Sequence, residues 1–308
     1  MNALVGYTGF VGSNIYASGE FDKVYNSKNI EDAYGSRPDL LVYSGLRAEK
    51  FLANNDPEKD MEQVLKAEEN IKKIDPKKVI LISTIDVFKH PKNVDENSKI
   101  ETEGLHPYGY NRFVLEERIR EKYPDALIVR LPGLFGKNIK KNFLYDMIKI
   151  IPAMLKGEKF DELVKKDPEI GKYYHRTDNG FYKADVPDEE RKELKKKFED
   201  LGFSALNFTD SRSRFQFYDL GNLWEDIKKV DREGIKLWHP ATEPVSAGEV
   251  YSYVFGKEFI NELGAVPADY DYRTVYPQLF GRNDGYISGK EEVLEGIKQF
   301  IKGELQDA

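Results

Sequence analysis

The chain has 308 residues, 40% of them hydrophobic and 33% charged. That is enough apolar material for a sizeable core and excludes a wholly disordered chain. A net charge of −7, from 47 Lys and Arg against 54 Asp and Glu, argues against a nucleic-acid or anionic-membrane binder, and zero cysteines exclude disulfides, thiolate metal sites and Cys nucleophiles.

Residues 2–6 (Asn-Ala-Leu-Val-Gly) read as a short strand, 11–19 as a helix closing at Gly19, and 23–25 and 39–44 as two further strands. A helix is expected over 57–73, opening on Pro57, a residue suited to a first helical turn. Lys78 to Ser83 is a continuous apolar run, 108–122 a helix, and 126–131 a second apolar run. Buried strands alternating with helices predict a parallel sheet covered on both faces.

After about residue 140 the pattern changes. Residues 153–203 are rich in Lys, Glu and Asp and read as a charged helical insertion, with 188–200 as a solvated helix. A strand at 215–220, a helix at 221–229 and a final helix at 290–302 follow; Val293, Leu294, Ile297, Phe300 and Ile301 fall on one face of the last. The four histidines, His90, His106, His175 and His239, form no His-x-x-x-His pattern, so no metal site is expected. The sequence opens without a signal-peptide pattern, and no apolar run approaches the ~18 residues that span a bilayer. The expectation is a cytoplasmic protein with no membrane partner.

Chemistry concentrates first at Gly6-Tyr7-Thr8-Gly9-Phe10-Val11-Gly12, directly after the first strand and opening a helix. Gly6 allows the tight turn, Gly9 leaves room for a pyrophosphate against the backbone, and Gly12 lets the helix pack on the strand. The helix N-terminus supplies amide donors and a positive dipole end. Gly6, Thr8, Gly9, Phe10, Val11 and Gly12 are therefore the expected dinucleotide cradle. An acid after the second strand would accept from a ribose 2′-hydroxyl and repel a 2′-phosphate. Asn26, Ser27 and Lys28 stand there instead, with no acid before Glu31, which favours NADP(H) over NAD(H).

The Gly-x-x-Gly-x-x-Gly spacing occurs with three further stretches. These are Ser83-Thr84-Ile85-Asp86-Val87-Phe88, Pro107-Tyr108-Gly109-Tyr110-Asn111-Arg112 and Arg130-Leu131-Pro132-Gly133-Leu134-Phe135-Gly136. As a set they resemble the extended short-chain dehydrogenase/reductase superfamily: NAD-dependent epimerase/dehydratase-like enzymes that modify nucleotide-linked sugars. The likeness covers about 1–145 and returns at 212–220.

The resemblance implies that Tyr108 is the general acid/base and that Thr84 orients the substrate oxygen. The family lysine four residues after the tyrosine is Arg112 here. That position faces Tyr108 on a helix; by resemblance it holds the nicotinamide ribose and biases Tyr108 toward phenolate. Ser44 and Gly45 form the turn that runs past the cofactor, and Arg47 and Lys50 are within reach of an anion. Asp86, Asn142 and Arg212 are the implied substrate contacts, Arg212 for a diphosphate; Arg273 and Arg282 are weaker anion candidates. Family dehydratases carry two acids after the threonine. Ile85 and Asp86 complete only half of that pair, so oxidoreduction or epimerisation is expected over dehydration.

The expected fold is α/β: a Rossmann-like doubly wound parallel sheet with a smaller C-terminal substrate lobe. Residues 1–140, rejoined by 205–238, would form the dinucleotide-binding domain, and 141–204 with 239–308 the lobe. The implied function is NAD(P)-dependent oxidation, reduction or epimerisation of a sugar by hydride transfer, with nucleotide-linked sugars the expected substrates, no nucleic-acid partner, and a homodimer left open. The alternative is a non-catalytic NAD(P)-binding sensor or scaffold of the same fold.

Overall fold

The computed structural model describes residues 1–306. Its centre is a six-stranded, all-parallel sheet. The first elements in chain order are β1 (Asn2–Val5), α1 (Phe10–Ser18), β2 (Lys23–Tyr25), β3 (Leu40–Tyr43), α2 (Lys50–Asn55), α3 (Pro57–Ile74), β4 (Lys78–Thr84), α4 (Pro107–Lys122) and β5 (Leu127–Leu131). The spatial order is β2-β1-β3-β4-β5, closed by the two-residue strand Leu237–Trp238, which was not expected from the sequence. From β1 the chain first steps outward to β2, then returns to the other side as β3. The strand order reverses there, and in such sheets ligands bind beyond the carboxyl ends at that reversal.

The strands are buried on both faces, and their alternate residues feed two cores. Val5, Leu41, Tyr43, Val79, Leu81 and Ile128 face a layer made by Val64, Ala67, Ile71 and Ile74 of α3 and Leu115 and Ile119 of α4. Leu4, Val42, Ile80, Leu127 and Val129 face Ile15 of α1 and Leu223, Trp224, Ile227 and Val230 of the helix Leu223–Arg232. The α3 helix starts where the chain is shaped for it: Asp56 accepts from the Lys59 amide and Pro57 takes the first turn.

The chain divides into two compact units: 1–139, 214–245 and 268–297 form one, and 140–213, 246–267 and 298–308 the other. The return to the first unit thus starts at Arg214 rather than 205, and two stretches of the expected lobe, 239–245 and 268–297, belong to the sheet unit.

The 153–203 stretch is not simply helical. It holds a three-stranded antiparallel sheet, with Met154–Lys156 and Tyr174–Arg176 flanking Phe181–Ala184, beside the helices Gly157–Lys166 and Arg191–Asp200. Aromatic packing explains it: Phe160 stacks on Tyr182 at 3.8 Å, and Tyr174 meets Phe198 over Leu163, Ile170 and Leu194. Strands of three and four residues between lysine-rich flanks are too short to show a period. Among the described residues no helix is long and apolar enough to cross a membrane.

Candidate active site

All strands of the sheet run the same way, so the residues that follow β1, β2, β3 and β4 emerge at one edge. Gly6, Asn26, Ser44 and Ile85 come directly after these strands. Gly6 donates its amide to Tyr25 O at 2.7 Å and has a φ of 92°. A Cβ on Gly6 would stand 2.6 Å from the Ser44 carbonyl, and one on Gly12 only 2.0 Å from Gly6 O. These two glycines are therefore demanded by the packing of β1, α1 and the Ser44 turn. Gly9 differs: it is exposed, and a Cβ there would meet only Gly6 O, at 3.3 Å. It caps α1 with no side-chain bond, and the first turn of α1 carries no acid. The leading α1 amides are left for a ligand or solvent.

Tyr108 and Thr84 are brought to one place by α4 docking on the turn after β4. His106 caps α4, its Nδ1 accepting from the Gly109 amide at 3.0 Å, and Pro107 opens the first turn. A Cβ on Gly109 would sit 2.0 Å from Asp86 O, so only glycine lets α4 press against this turn. That approach puts the Tyr108 phenol near the Thr84 side chain, which acts to lower its pKa. The Thr84 Oγ1 also accepts from the Asp86 amide at 3.2 Å. Asn54 fixes Tyr108 from the other side, accepting from its amide at 3.0 Å.

Tyr108 is 7% exposed. Burial pushes its phenol up to about 12, with Asp86 and Asp60 adding to the rise while Arg112 and the Thr84 side chain oppose it. At neutral pH it is a protonated donor. Arg112 lies over the ring, its guanidinium carbon 4.0 Å from the centroid. One terminal nitrogen pairs with Asp60, and the other donates to Arg47 O at 2.7 Å. Asn111 reinforces the pair by donating to Asp60 at 2.8 Å and to Pro57 O at 3.1 Å.

No family model matches the sequence, and no curated protein matches it. Solved structures do. The dTDP-4-dehydrorhamnose reductase of Bacillus anthracis str. Ames, solved in complex with NADP, is similar at a TM-score of 0.62 and 15% identity, over 98% of this chain and 97% of that one. The UDP-N-acetylglucosamine 4-epimerase of Methanobrevibacter ruminantium M1, in complex with UDP-N-acetylmuramic acid, gives 0.63 at 12% identity over 100% and 98%. The NAD-dependent NDP-hexosamine 5,6-dehydratase of tunicamycin biosynthesis gives 0.62 at 13% over 100% and 98%. The chain has the fold of the extended short-chain dehydrogenase/reductases.

Within that fold the expected residues separate into groups. Thr84, Tyr108 and Arg112 come together. Arg112 does so in another way than expected: it is 4% exposed, and both terminal nitrogens are taken by Asp60 and Arg47 O. A ribose-holding role would require breaking those bonds. Asp86 is placed beside Thr84, paired with Lys50 at 3.0 Å and accepting from the Tyr270 hydroxyl at 3.1 Å. Lys50 is thus an ion-pair partner rather than a free anion ligand.

Asn26 and Asn29 close a turn on themselves, Asn26 accepting from the Lys28 amide and Asn29 from the Asn26 amide. That turn leaves Ser27 and Lys28 exposed, and Lys28 makes no ion pair among the described residues. Ser44 is packed under Gly6 and Gly12, whereas Gly45 is exposed.

Asn142 and Arg212 belong to the second unit and have structural partners there. The Asn142 Oδ1 caps the helix Phe143–Lys149, accepting from Leu144 and Tyr145. Arg212 forks onto Asp210 at 2.9 and 2.7 Å and reaches Glu262 and Leu263 O. An incoming diphosphate would have to displace a bidentate carboxylate. Arg273 and Arg282 are likewise paired, with Asp271 and with Asp284. Among the described residues no cluster of His, Cys, Asp and Glu could hold a metal ion.

Sequence reasoning missed Asn54, Asp60 and Tyr270. Asp60 lies 52 residues from Arg112 and Tyr270 lies 184 from Asp86, and no local spacing announces either pairing.

Proposed function

We propose that this protein is an NAD(P)-dependent oxidoreductase acting on a nucleotide-linked sugar, with carbonyl reduction the direction its site is set for. The observation that carries this reading is the buried Tyr108 phenol, brought by the close approach of α4 to the Thr84–Asp86 turn at the carboxyl edge of the sheet. The likeness to a reductase and an epimerase of nucleotide-linked sugars supports the substrate class. The open Gly9 position and the uncapped α1 amides suit a pyrophosphate, so the residues fit a dinucleotide.

A nicotinamide held by the Gly6–Gly12 turn would be the source of the hydride for the carbonyl carbon. Tyr108 gives its phenolic proton to the carbonyl oxygen and is left as tyrosinate, to be reprotonated from solvent. Thr84 holds the phenol in position for that transfer. Arg112 keeps the ring from rotating, clamped between α3 and the Arg47 carbonyl. Oxidation is the same path reversed and would start from tyrosinate, which the burial of Tyr108 disfavours.

Gly9→Val tests the cradle. The substitution meets only one backbone oxygen, so the fold should persist while NADPH binding, read by calorimetry, weakens by on the order of 100-fold; undiminished affinity would remove the site. Cofactor choice is a separate prediction. Exposed Ser27 and Lys28 should bind NADPH about tenfold more tightly than NADH, and Lys28→Met should erase most of that difference. Equal affinities in a direct titration would leave NAD the better assignment. Turnover is tested by following NADPH consumption with a panel of nucleotide-linked keto sugars.

A further inference from the structure

A cation held against a phenol favours loss of its proton, and Arg112 stands in that place. Its guanidinium carbon lies 4.0 Å from the Tyr108 ring centroid, and the rigid ring keeps the phenolic oxygen close to that charge. Left unmatched there, Arg112 would make a tyrosinate easy to form. A residue from another helix prevents this.

Asp60, on α3, meets the guanidinium at one terminal nitrogen, the two side chains being 13% and 5% exposed. The same carboxylate oxygen accepts from Asn111 at 2.8 Å, so two donors from α4 hold it in place. Asp60 lies in the first turn of α3, where the helix dipole favours an acid. Little water reaches the pair, and its opposite charges largely cancel at the neighbouring ring. The other groups around Tyr108 are Asp86 on the turn after β4, paired with Lys50 of α2, Tyr270, which donates to Asp86 at 3.1 Å, and His106 of α4, stacked at 6.3 Å. Burial, then the Lys50 charge, hold the His106 imidazole below its usual range, so it is neutral at neutral pH. Burial leads the rise of the Tyr108 phenol; Arg112 is the largest influence against it, and Asp60 acts on the side of burial.

We propose that Asp60 is the positioning residue that keeps Tyr108 an acid: by matching the Arg112 charge over the ring it denies a tyrosinate its counter-ion, and so sets the site to give a proton to a carbonyl rather than to take one from an alcohol. In the reductive step the phenolic O–H bond breaks as the alcohol O–H forms, hydride comes from the nicotinamide, and the tyrosinate is reprotonated from solvent. The functional half of this inference rests on Tyr108 being the proton donor; the electrostatic half does not.

The test reads Tyr108 ionisation directly. In protein containing 3-fluorotyrosine, the Tyr108 19F resonance is assigned by its loss in Tyr108→Phe and titrated with pH; fluorine makes the phenol more acidic and brings the midpoint to lower pH. Asp60→Asn keeps an acceptor for Asn111 and Arg112 but removes the matching charge, and should lower the midpoint by on the order of one pH unit. Asp60→Glu should return it near the wild-type value. Arg112→Gln leaves Asp60 unmatched and should raise the midpoint, and the double variant Asp60→Asn, Arg112→Gln should bring it back close to wild type. That last comparison holds even where Asp60→Asn alone does not fold. A midpoint unmoved or raised by Asp60→Asn, or one that is the same in Arg112→Gln and the double variant, overturns the proposal whether or not the protein is an oxidoreductase.

With a keto sugar that is turned over, kcat for oxidation of its alcohol should rise with pH. Asp60→Asn should move that rise to lower pH by about the shift seen in the resonance, at little cost in KM, and Asp60→Glu should restore it. An unmoved profile alongside a shifted resonance would overturn the part of Asp60 in the reaction. A panel that gives no turnover even in wild type would count against the oxidoreductase reading and take the functional half with it, while the titration still decides the electrostatic half.

Discussion

Tyr108→Phe should lower turnover on the order of 100-fold or more while NADPH affinity changes little. The substitution keeps a ring that is 7% exposed and lies under the Arg112 guanidinium, and removes only the phenolic oxygen. Packing is conserved, so circular dichroism and thermal unfolding should be close to wild type. Arg112 sharpens the reading. Arg112→Lys keeps a charge for Asp60 but loses the guanidinium over the ring and the bond to Arg47 O, so it should retain substantial activity at some cost in stability. Arg112→Met leaves Asp60 without its cation and should lose both. Steady-state kinetics on the three variants decides it. A fully active Tyr108→Phe enzyme would sink the mechanism and require a proton donor other than Tyr108.

The largest stability effect is expected at Glu116, two helical turns beyond Tyr108 on α4 and fully buried. Its carboxylate takes two bonds from Arg130 Nε at 3.1 Å and one from Nη2 at 2.6 Å, and accepts from Ser83 Oγ at 2.5 Å. Arg130 is 2% exposed and continues to His239 Nε2 at 3.4 Å. Burial and the Arg130 charge hold the His239 imidazole down to about 3, so it stays neutral and can accept from Arg130.

Glu116→Ala strands a buried guanidinium, and losing one partner of such a pair costs about 3–5 kcal/mol. Urea unfolding should show this as a lower midpoint with an unchanged slope. The double variant Glu116→Leu, Arg130→Met should recover most of the loss, because neither charge is then left buried alone. A single variant as stable as wild type would mean that solvent reaches Arg130.

The alternation of apolar runs with amphipathic stretches was sufficient to derive a parallel sheet with two covered faces, because strands buried on both sides must be apolar throughout. The glycine turn was legible for a related reason: Gly6 and Gly12 stand where a Cβ would strike backbone, a demand that leaves its mark at fixed local spacing. Tyr108 and Thr84 could be nominated because each is set by its own local context, a helix start and a strand end.

Their partners could not. Whether Arg112 is a free cation or a clamp depends on Asp60, and whether Lys50 faces solvent or Asp86 depends on how α2 meets the turn after β4. Asn142 and Arg212 were expected as ligands from the family resemblance; in the structure their polar atoms cap a helix and fork onto Asp210. Residue type records what a side chain can donate or accept; which partner takes it is decided by contacts distant in the chain. The same holds for the two-residue strand at Leu237–Trp238 and the small sheet within 153–203: elements that short have no period to read and exist only because the neighbouring backbone and aromatic rings are already in place.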